Sequence, residues 1–130
     1  MLRYRFPLVA EFLACCGLLA CGSRGPAAPD TLIEPIQIES VDVLVTQSSP
    51  PTVVAHVQGF LGDGCSTLHS VAQARSGNAI TITILRERPR DAICTQIARL
   101  YDANIPLAGP FGPGRYLLRV NAFERAFTIP

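Results

Sequence analysis

The stretch Asn78-Ala79-Ile80-Thr81-Ile82-Thr83-Ile84-Leu85-Arg86 decides the fold class, because isoleucine and threonine alternate over residues 80–84. A period of two is typical of a β-strand with one buried face and one face in solvent. We therefore expect the three isoleucines to point into a core and the two threonines to point outward. The preceding Ser76-Gly77-Asn78 holds two residues that tolerate positive φ, which predicts a hairpin loop at this point.

Similar patterns occur on both sides of this strand. Upstream, valines alternate from Val41 to Val45, residues 52–60 are rich in valine, and residues 68–75 form a weaker candidate strand. Downstream, Tyr116, Leu118 and Val120 alternate with Leu117 and Arg119. Asn121-Ala122 then predicts a tight turn, and residues 123–129 close the domain.

Residues 91–107 fit two structures. An apolar stripe follows Asp91, a possible helix N-cap, and is compatible with a short helix. The same segment fits a strand over residues 95–107 with Ile97 and Tyr101 on one face. The strand is favoured because all neighbouring elements are strands. With it, the chain has about seven short strands, which predicts an all-β fold, a single antiparallel β-sandwich over residues 36–130.

One segment of this domain resembles a known family. The stretch Pro113-Gly114-Arg115-Tyr116-Leu117-Leu118-Arg119-Val120-Asn121 is similar to the segment leading into the penultimate strand of immunoglobulin-like and fibronectin-like bacterial modules. Gly114, Tyr116, Leu118 and Val120 carry the resemblance. It implies an immunoglobulin-like sandwich in which the Tyr116 hydroxyl bonds back to nearby backbone. It implies nothing about a ligand.

The N-terminus has the pattern of an export signal. A basic start, Met1-Leu2-Arg3-Tyr4-Arg5, precedes an apolar stretch over residues 6–20 that is too short to span a bilayer. The stretch ends in Leu18-Leu19-Ala20-Cys21, which resembles the lipobox of bacterial lipoproteins. That resemblance implies removal of residues 1–20 and attachment of a diacylglyceryl group to Cys21. The alternatives are an ordinary signal peptide, cut for instance after Ala28, and an uncleaved anchor.

Cell-envelope localisation follows from the lipobox. The residue after the cysteine is Gly22, and the sorting rule of lipoproteins then favours the outer membrane, on its periplasmic face or at the cell surface. Residues 21–35 are expected to form the lipidated cysteine and a flexible Gly- and Pro-containing tether. Residues 22–35 would reach about 45 Å if fully extended.

Composition limits the classes of function. The chain has 130 residues, of which 48% are hydrophobic and 16% charged, so it holds one domain and is not disordered throughout. Its net charge is +1. Arg3, Arg5 and Glu11 leave with the signal, so nine arginines and nine acidic residues remain. A neutral domain is not steered to nucleic acid.

Cys65 and Cys94 are the two cysteines of the predicted domain, and we expect them to form a disulfide. An exported compartment permits oxidation, and the number of remaining cysteines is even. If the hairpin centres on Gly77, Cys65 lies near the end of the fourth strand and a modest bend brings Cys94 close. Two buried free thiols are the main alternative.

Catalytic and metal chemistry is weakly supported. His56, His69 and Asp63 form a metal triad only if unknown strand pairing brings them together, and structural zinc sites usually show tighter ligand spacing. A Cys65–His69 nucleophile and base pair would compete with the disulfide. We therefore expect neither an enzyme nor a cofactor or bound metal.

The most unusual surface candidate is a basic cluster of Arg86, Arg88 and Arg90, to which Phe111 is added as an aromatic at a loop tip. Arginine side chains suit carboxylate or phosphate ligands, which makes these four residues a possible binding patch. The plainer interpretation is a solvated strand end that protects a sheet edge. In the same interpretation, Phe111 plugs the end of the sandwich.

Three functions remain open. The first is a non-enzymatic, lipid-anchored module that binds or scaffolds an envelope protein or glycan. The second is an envelope protease inhibitor similar to the chagasin family. This chain lacks the Asn-Pro-Thr-Thr-Gly-like motif of that family, and its Gly-rich loop from Gly109 to Gly114 resembles the inhibitory loops only weakly. The third is a small metal-binding or hydrolytic periplasmic protein. The first is favoured by the lipobox and the tether.

Overall fold

The computed structural model describes residues 30–130 together with Gly22 and Gly25. The predicted signal peptide, Cys21 and residues 23, 24 and 26–29 of the predicted tether lie outside the described residues. Residues 30–130 form eight strands: β1 (Thr31–Pro35), β2 (Gln37–Val45), β3 (Val53–Gly62), β4 (Thr67–Ser76), β5 (Ala79–Pro89), β6 (Arg99–Pro106), β7 (Gly114–Val120) and β8 (Phe123–Ile129). Among the described residues, no helix is long and apolar enough to cross a membrane.

The strands form the two sheets of a β-sandwich, which confirms the predicted fold class. One sheet has three strands in the order β2-β3-β6, and the other contains β1, β4, β5, β7 and β8. Neighbouring strands are antiparallel with one exception. Residues 79–82 of β5 pair in parallel with residues 117–120 of β7.

The core lies between the two sheets and follows the predicted alternation. Side chains at positions 80, 82 and 84 of β5 are completely buried, as are those at 118 and 120 of β7. The full set of buried apolar residues comprises Ile36, Val41, Val53, Ala55, Val57, Leu61, Ile80, Ile82, Ile84, Tyr101, Leu107, Phe111, Tyr116, Leu118, Val120 and Ile129. Burial of this apolar surface is the main favourable contribution to folding.

Two segments differ from the sequence prediction. Residues 31–35, included in the predicted tether, form β1 and pair antiparallel with residues 85–89. This five-residue segment is too short for its alternation to be distinguished from a linker. The ambiguous segment 91–107 does contain a strand, but β6 begins only at Arg99, which pairs with Gly62. Ile97 lies before it and is 73% exposed, so its predicted place beside the buried Tyr101 is wrong.

Two turns match the sequence prediction in detail. Gly77 has φ 59° in the β4–β5 hairpin, and Asn121 has φ 50° between β7 and β8. Glycine and asparagine adopt this left-handed region more readily than other residues. The Tyr116 hydroxyl donates a hydrogen bond of 2.8 Å to the carbonyl of Gly112, as the family resemblance implies.

Asn121 also closes a gap in the larger sheet. One edge of β5 pairs with β7 over residues 79–82 and with β1 over residues 85–89, which leaves Ile84 between the two partners. The side chain of Asn121 accepts from the N–H of Ile84 at 2.9 Å and donates to the carbonyls of Ile84 and Ile36, at 3.0 and 2.9 Å. The side-chain amide of Asn121 therefore makes the hydrogen bonds to Ile84 that a neighbouring strand would otherwise provide.

Replacing this amide tests its contribution. Asn121→Gly keeps the positive φ accessible but leaves the buried N–H of Ile84 without its acceptor, so we expect a loss of about 2–4 kcal/mol in the free energy of unfolding. The measurement is urea denaturation, with the exposed Asn104→Gly on β6 as the control for glycine in general. A loss at position 121 no larger than at position 104 would contradict this role.

Candidate functional site

The end of the sandwich where the chain enters β1 is held by the predicted disulfide. Cys65, after β3, is bonded to Cys94, after β5, with a Cα–Cα distance of 5.5 Å. The N–H of Gly64 also donates to the carbonyl of Thr95 at 2.9 Å. These links fasten the irregular segment of residues 90–98 to the turn after β3. We call this end, with Asp30 and the disulfide, the tether end.

Arg86 and Arg88 lie beneath this segment rather than on an open surface. Positions 86 and 88 continue the inward-facing series of β5 beyond the apolar core. Arg86 donates to the carbonyl of Leu61 at 2.9 Å and to Glu34 at 2.7 Å. Arg88 forms an ion pair of 3.1 Å with Asp63. Both guanidinium groups therefore serve the packing of the tether end.

Asp63 organises the turn above these arginines. Its carboxylate accepts from the N–H of Cys65 at 3.1 Å and from the hydroxyl of Ser66 at 3.0 Å. Burial raises the pKa of Asp63, but these hydrogen bonds and the charges of Arg88 and Arg86 outweigh burial, so the pKa lies below its usual value. The ionised carboxylate thus suits its arginine partner at neutral pH.

Gly62 permits the close approach of Arg86. Its φ is +116°, and a Cβ at this position would overlap the Arg86 guanidinium. Both the backbone conformation and the space therefore require glycine.

The predicted four-residue binding patch is not assembled by the fold. Arg86 and Arg88 are half-buried in their ion pairs, whereas Arg90 lies at the surface, its backbone N–H donating to the carbonyl of Asp30 at 2.7 Å. Phe111 is only 4% exposed, so the prediction of an exposed aromatic anchor is wrong. The sandwich end is plugged by this ring, which is the plainer of the two interpretations. The isoleucine series already placed positions 86 and 88 on the inward face, which is the signal that could have shown this.

Phe111 belongs to an aromatic cluster at the opposite end of the sandwich. Its ring lies 5.4 Å from that of Tyr116, and Tyr116 stacks on Phe127 at 5.2 Å. The Arg75 guanidinium sits 4.7 Å from the Phe111 centroid and donates to the carbonyls of Ala108 and Pro110. The Gly- and Pro-rich loop is therefore folded onto the sandwich end.

The two histidines lie on different sheets and do not meet. His69 on β4 pairs with Glu87 at 2.9 Å, and His56 on β3 pairs with Asp102 on β6 at 2.8 Å. In the described part of the chain, Asp63, Cys65 and Cys94 lie close enough together to hold a metal ion. The disulfide joins these two sulfur atoms, so they are not available as thiolate ligands.

A network that the sequence analysis missed covers the outer face of the three-stranded sheet. Ser40 donates to Gln58 at 3.2 Å, and Gln58 donates to Asp102 at 2.9 Å. Asp102 also accepts from His56 at 2.8 Å. We call this surface the polar face; strand register places six polar residues on it: Ser40, Asp42, His56, Gln58, Asp102 and Asn104.

Asp102 is the central acceptor of the polar face. Hydrogen bonds from Gln58 and then from His56 hold its pKa below the usual value, against a smaller opposing effect of desolvation. Its side chain is 59% exposed, so the ionised carboxylate is accessible to a ligand. Pairing across three strands creates this group, which is why residue spacing along the chain did not indicate it.

Comparison with known proteins now places the chain in a family. Residues 55–129 match the family model of the ORF11 beta-sandwich domain. The chain belongs to this family. The matched region runs from β3 to the end of β8 and includes both disulfide cysteines and Asn121. It also includes His56, Gln58 and Asp102 of the polar face.

Relatives of this ORF11 beta-sandwich protein occur in Herpetosiphon aurantiacus. An uncharacterised 10.2 kDa protein in the HgiCIIM 5′ region is 36% identical over 94 residues, which are 72% of this chain and 100% of the relative. Uncharacterised 10.2 kDa proteins in the HgiBIM and HgiEIM 5′ regions are each 35% identical over 82 residues, 63% of this chain and 100% of each relative. No solved structure matches the chain.

The disulfide is expected to be a major support of the tether end. It closes a separation of 29 residues, for which the chain-entropy model gives about 3–4 kcal/mol. Replacing both cysteines in Cys65→Ala/Cys94→Ala should lower the free energy of unfolding by this amount in urea titrations. Cys21→Ala, outside the sandwich, is the matched control and should leave it unchanged. A loss below about 1 kcal/mol for the double variant would contradict the expectation.

Proposed function

We propose that the protein is a non-enzymatic, lipid-anchored protein of the cell envelope whose β-sandwich serves as a binding or scaffolding module. The observation that carries the proposal is the sequence Leu18-Leu19-Ala20-Cys21 at the end of a basic and apolar N-terminal segment. Acyl chains contribute about 0.8 kcal/mol per buried methylene group, so two or more hold a small protein on a membrane. The Cys65–Cys94 disulfide supports an oxidising compartment outside the cytoplasm.

The polar face is the surface we assign to binding. Asp102, Gln58 and His56 are held in fixed orientations by hydrogen bonds to one another, so their remaining donors and acceptors are preorganised for a ligand. Apolar side chains lie along the same outer face, with Phe60 at one end and Leu44 at the other. Polar groups flanked by apolar contacts suit an envelope glycan or a polar protein surface.

Lipidation is tested by metabolic labelling with radioactive palmitate. The wild-type protein is expected to incorporate label and to lose residues 1–20, whereas Cys21→Ala should do neither, because the thioether forms on this sulfur. Cys16→Ala is the matched control. It should still be labelled, because it leaves the lipobox Leu18-Leu19-Ala20-Cys21 unchanged. Equal labelling of the wild type and Cys21→Ala would refute the lipid anchor.

Binding by the polar face is tested with His56→Ala/Asp102→Ala. Both side chains are partly exposed, so the melting temperature should stay close to that of the wild type. Cosedimentation with insoluble cell-wall glycan, and crosslinking to envelope proteins, should weaken by at least about tenfold, equivalent to 1.4 kcal/mol. Arg119→Ala/Glu124→Ala removes an exposed ion pair on the other sheet and should retain binding. Equal losses in the two double variants would count against the polar face.

A further inference from the structure

An exposed group of apolar side chains lies at the tether end. Ile93 is fully exposed, and Ile97 and Leu100 are 73% and 75% exposed, all within eight residues. We call these three residues the apolar rim. Single exposed apolar residues are ordinary on a protein surface, but three within eight residues concentrate apolar area at this end of the sandwich.

The apolar rim is held in place rather than loosely attached. Cys94, next to Ile93, is bonded to Cys65, and the carbonyl of Thr95 accepts from the N–H of Gly64 at 2.9 Å. Leu100 belongs to β6 and pairs with Phe60. Because these links restrict the backbone in advance, covering the rim costs little conformational entropy.

The place where the chain enters the fold indicates what covers the rim. The carbonyl of Asp30 accepts from the N–H of Arg90 at 2.7 Å, and Thr31 pairs with Pro89. The N-terminal segment therefore joins the sandwich directly beside residues 90–98. Since β1 takes residues 31–35 out of the tether, eight residues separate Asp30 from Cys21. The nine Cα–Cα steps from Cys21 to Asp30 span about 30 Å at most.

From these observations we propose that the apolar rim inserts into the lipid surface to which Cys21 is attached, and so orients the domain with its tether end on the membrane. This inference rests on the proposed lipid anchor. Ile93 and Ile97 would lie at the boundary between headgroups and acyl chains, about 5–10 Å deep. The chain from Cys21 onward carries nine arginines and nine acidic residues, so insertion is driven by apolar burial and should occur on uncharged lipids.

In the test the protein is attached to lipid chemically, so the result does not depend on whether the cell lipidates Cys21. A chain of residues 21–130 contains the whole described sandwich and one cysteine outside the disulfide, Cys21, which is coupled to a maleimide lipid in phosphatidylcholine vesicles. The sequence has no tryptophan, so a single introduced indole reports its own surroundings. Lipids with brominated acyl chains quench an indole that enters the bilayer.

Ile97→Trp places the indole on the apolar rim. Leu44→Trp is the matched control: it lies at the end of β2 farther from the tether end, and its native side chain is 58% exposed. Brominated lipids should reduce the emission of Ile97→Trp by at least about twofold, as expected for insertion to 5–10 Å, and leave Leu44→Trp unchanged. Adding Ile93→Ser to Ile97→Trp should weaken the quenching, because it removes an apolar side chain from the rim.

Two results would overturn the inference. One is an Ile97→Trp emission that brominated lipids do not quench, or that they quench no more than Leu44→Trp. The other is an Ile97→Trp emission that changes only when envelope proteins are added, which would assign the rim to a protein partner. Because Cys21 is coupled chemically, either result leaves the palmitate labelling of the natural protein to be judged independently.

Discussion

The side-chain amide of Asn121 is the interaction on which the arrangement of the two sheets depends. It occupies the break between β7 and β1 on one edge of β5, and it bonds to the backbone of Ile84 and of Ile36. Ile36 is the residue at which the chain leaves the larger sheet for the smaller one. One turn residue therefore fixes the crossover between sheets. Its half-buried amide is paired on both its oxygen and its nitrogen, because polar groups left without a partner inside a fold are costly.

The two ends of the sandwich are closed by different chemistry. At the tether end, Arg86 and Arg88 continue the inward face of β5 and are neutralised by Glu34 and Asp63 under a disulfide. At the other end, the core is closed by stacked aromatic rings. At the tether end the apolar rim stays exposed beside the point where the chain enters β1. This position is the structural basis for the proposed insertion of the rim into a membrane.

Most of the fold could be predicted from the sequence, whereas most of the site could not. Alternation along β5 and β7 reports burial directly, and turn residues such as Gly77 mark hairpins because few residues adopt positive φ. β1 was missed because five residues carry too little periodicity. The pair of His56 and Asp102 spans 46 positions, and contacts of this kind depend on strand register, which residue spacing along the chain does not contain.

Amide hydrogen exchange at Ile84 tests the central role of Asn121 most directly. This N–H lies between two strands and has the Asn121 side-chain oxygen as its acceptor. If that amide holds the sandwich together, the N–H should exchange only through global unfolding, as slowly as the amides of the most protected core strands. Exchange at the rate of solvent-facing amides on the edge strand β4 would contradict the account.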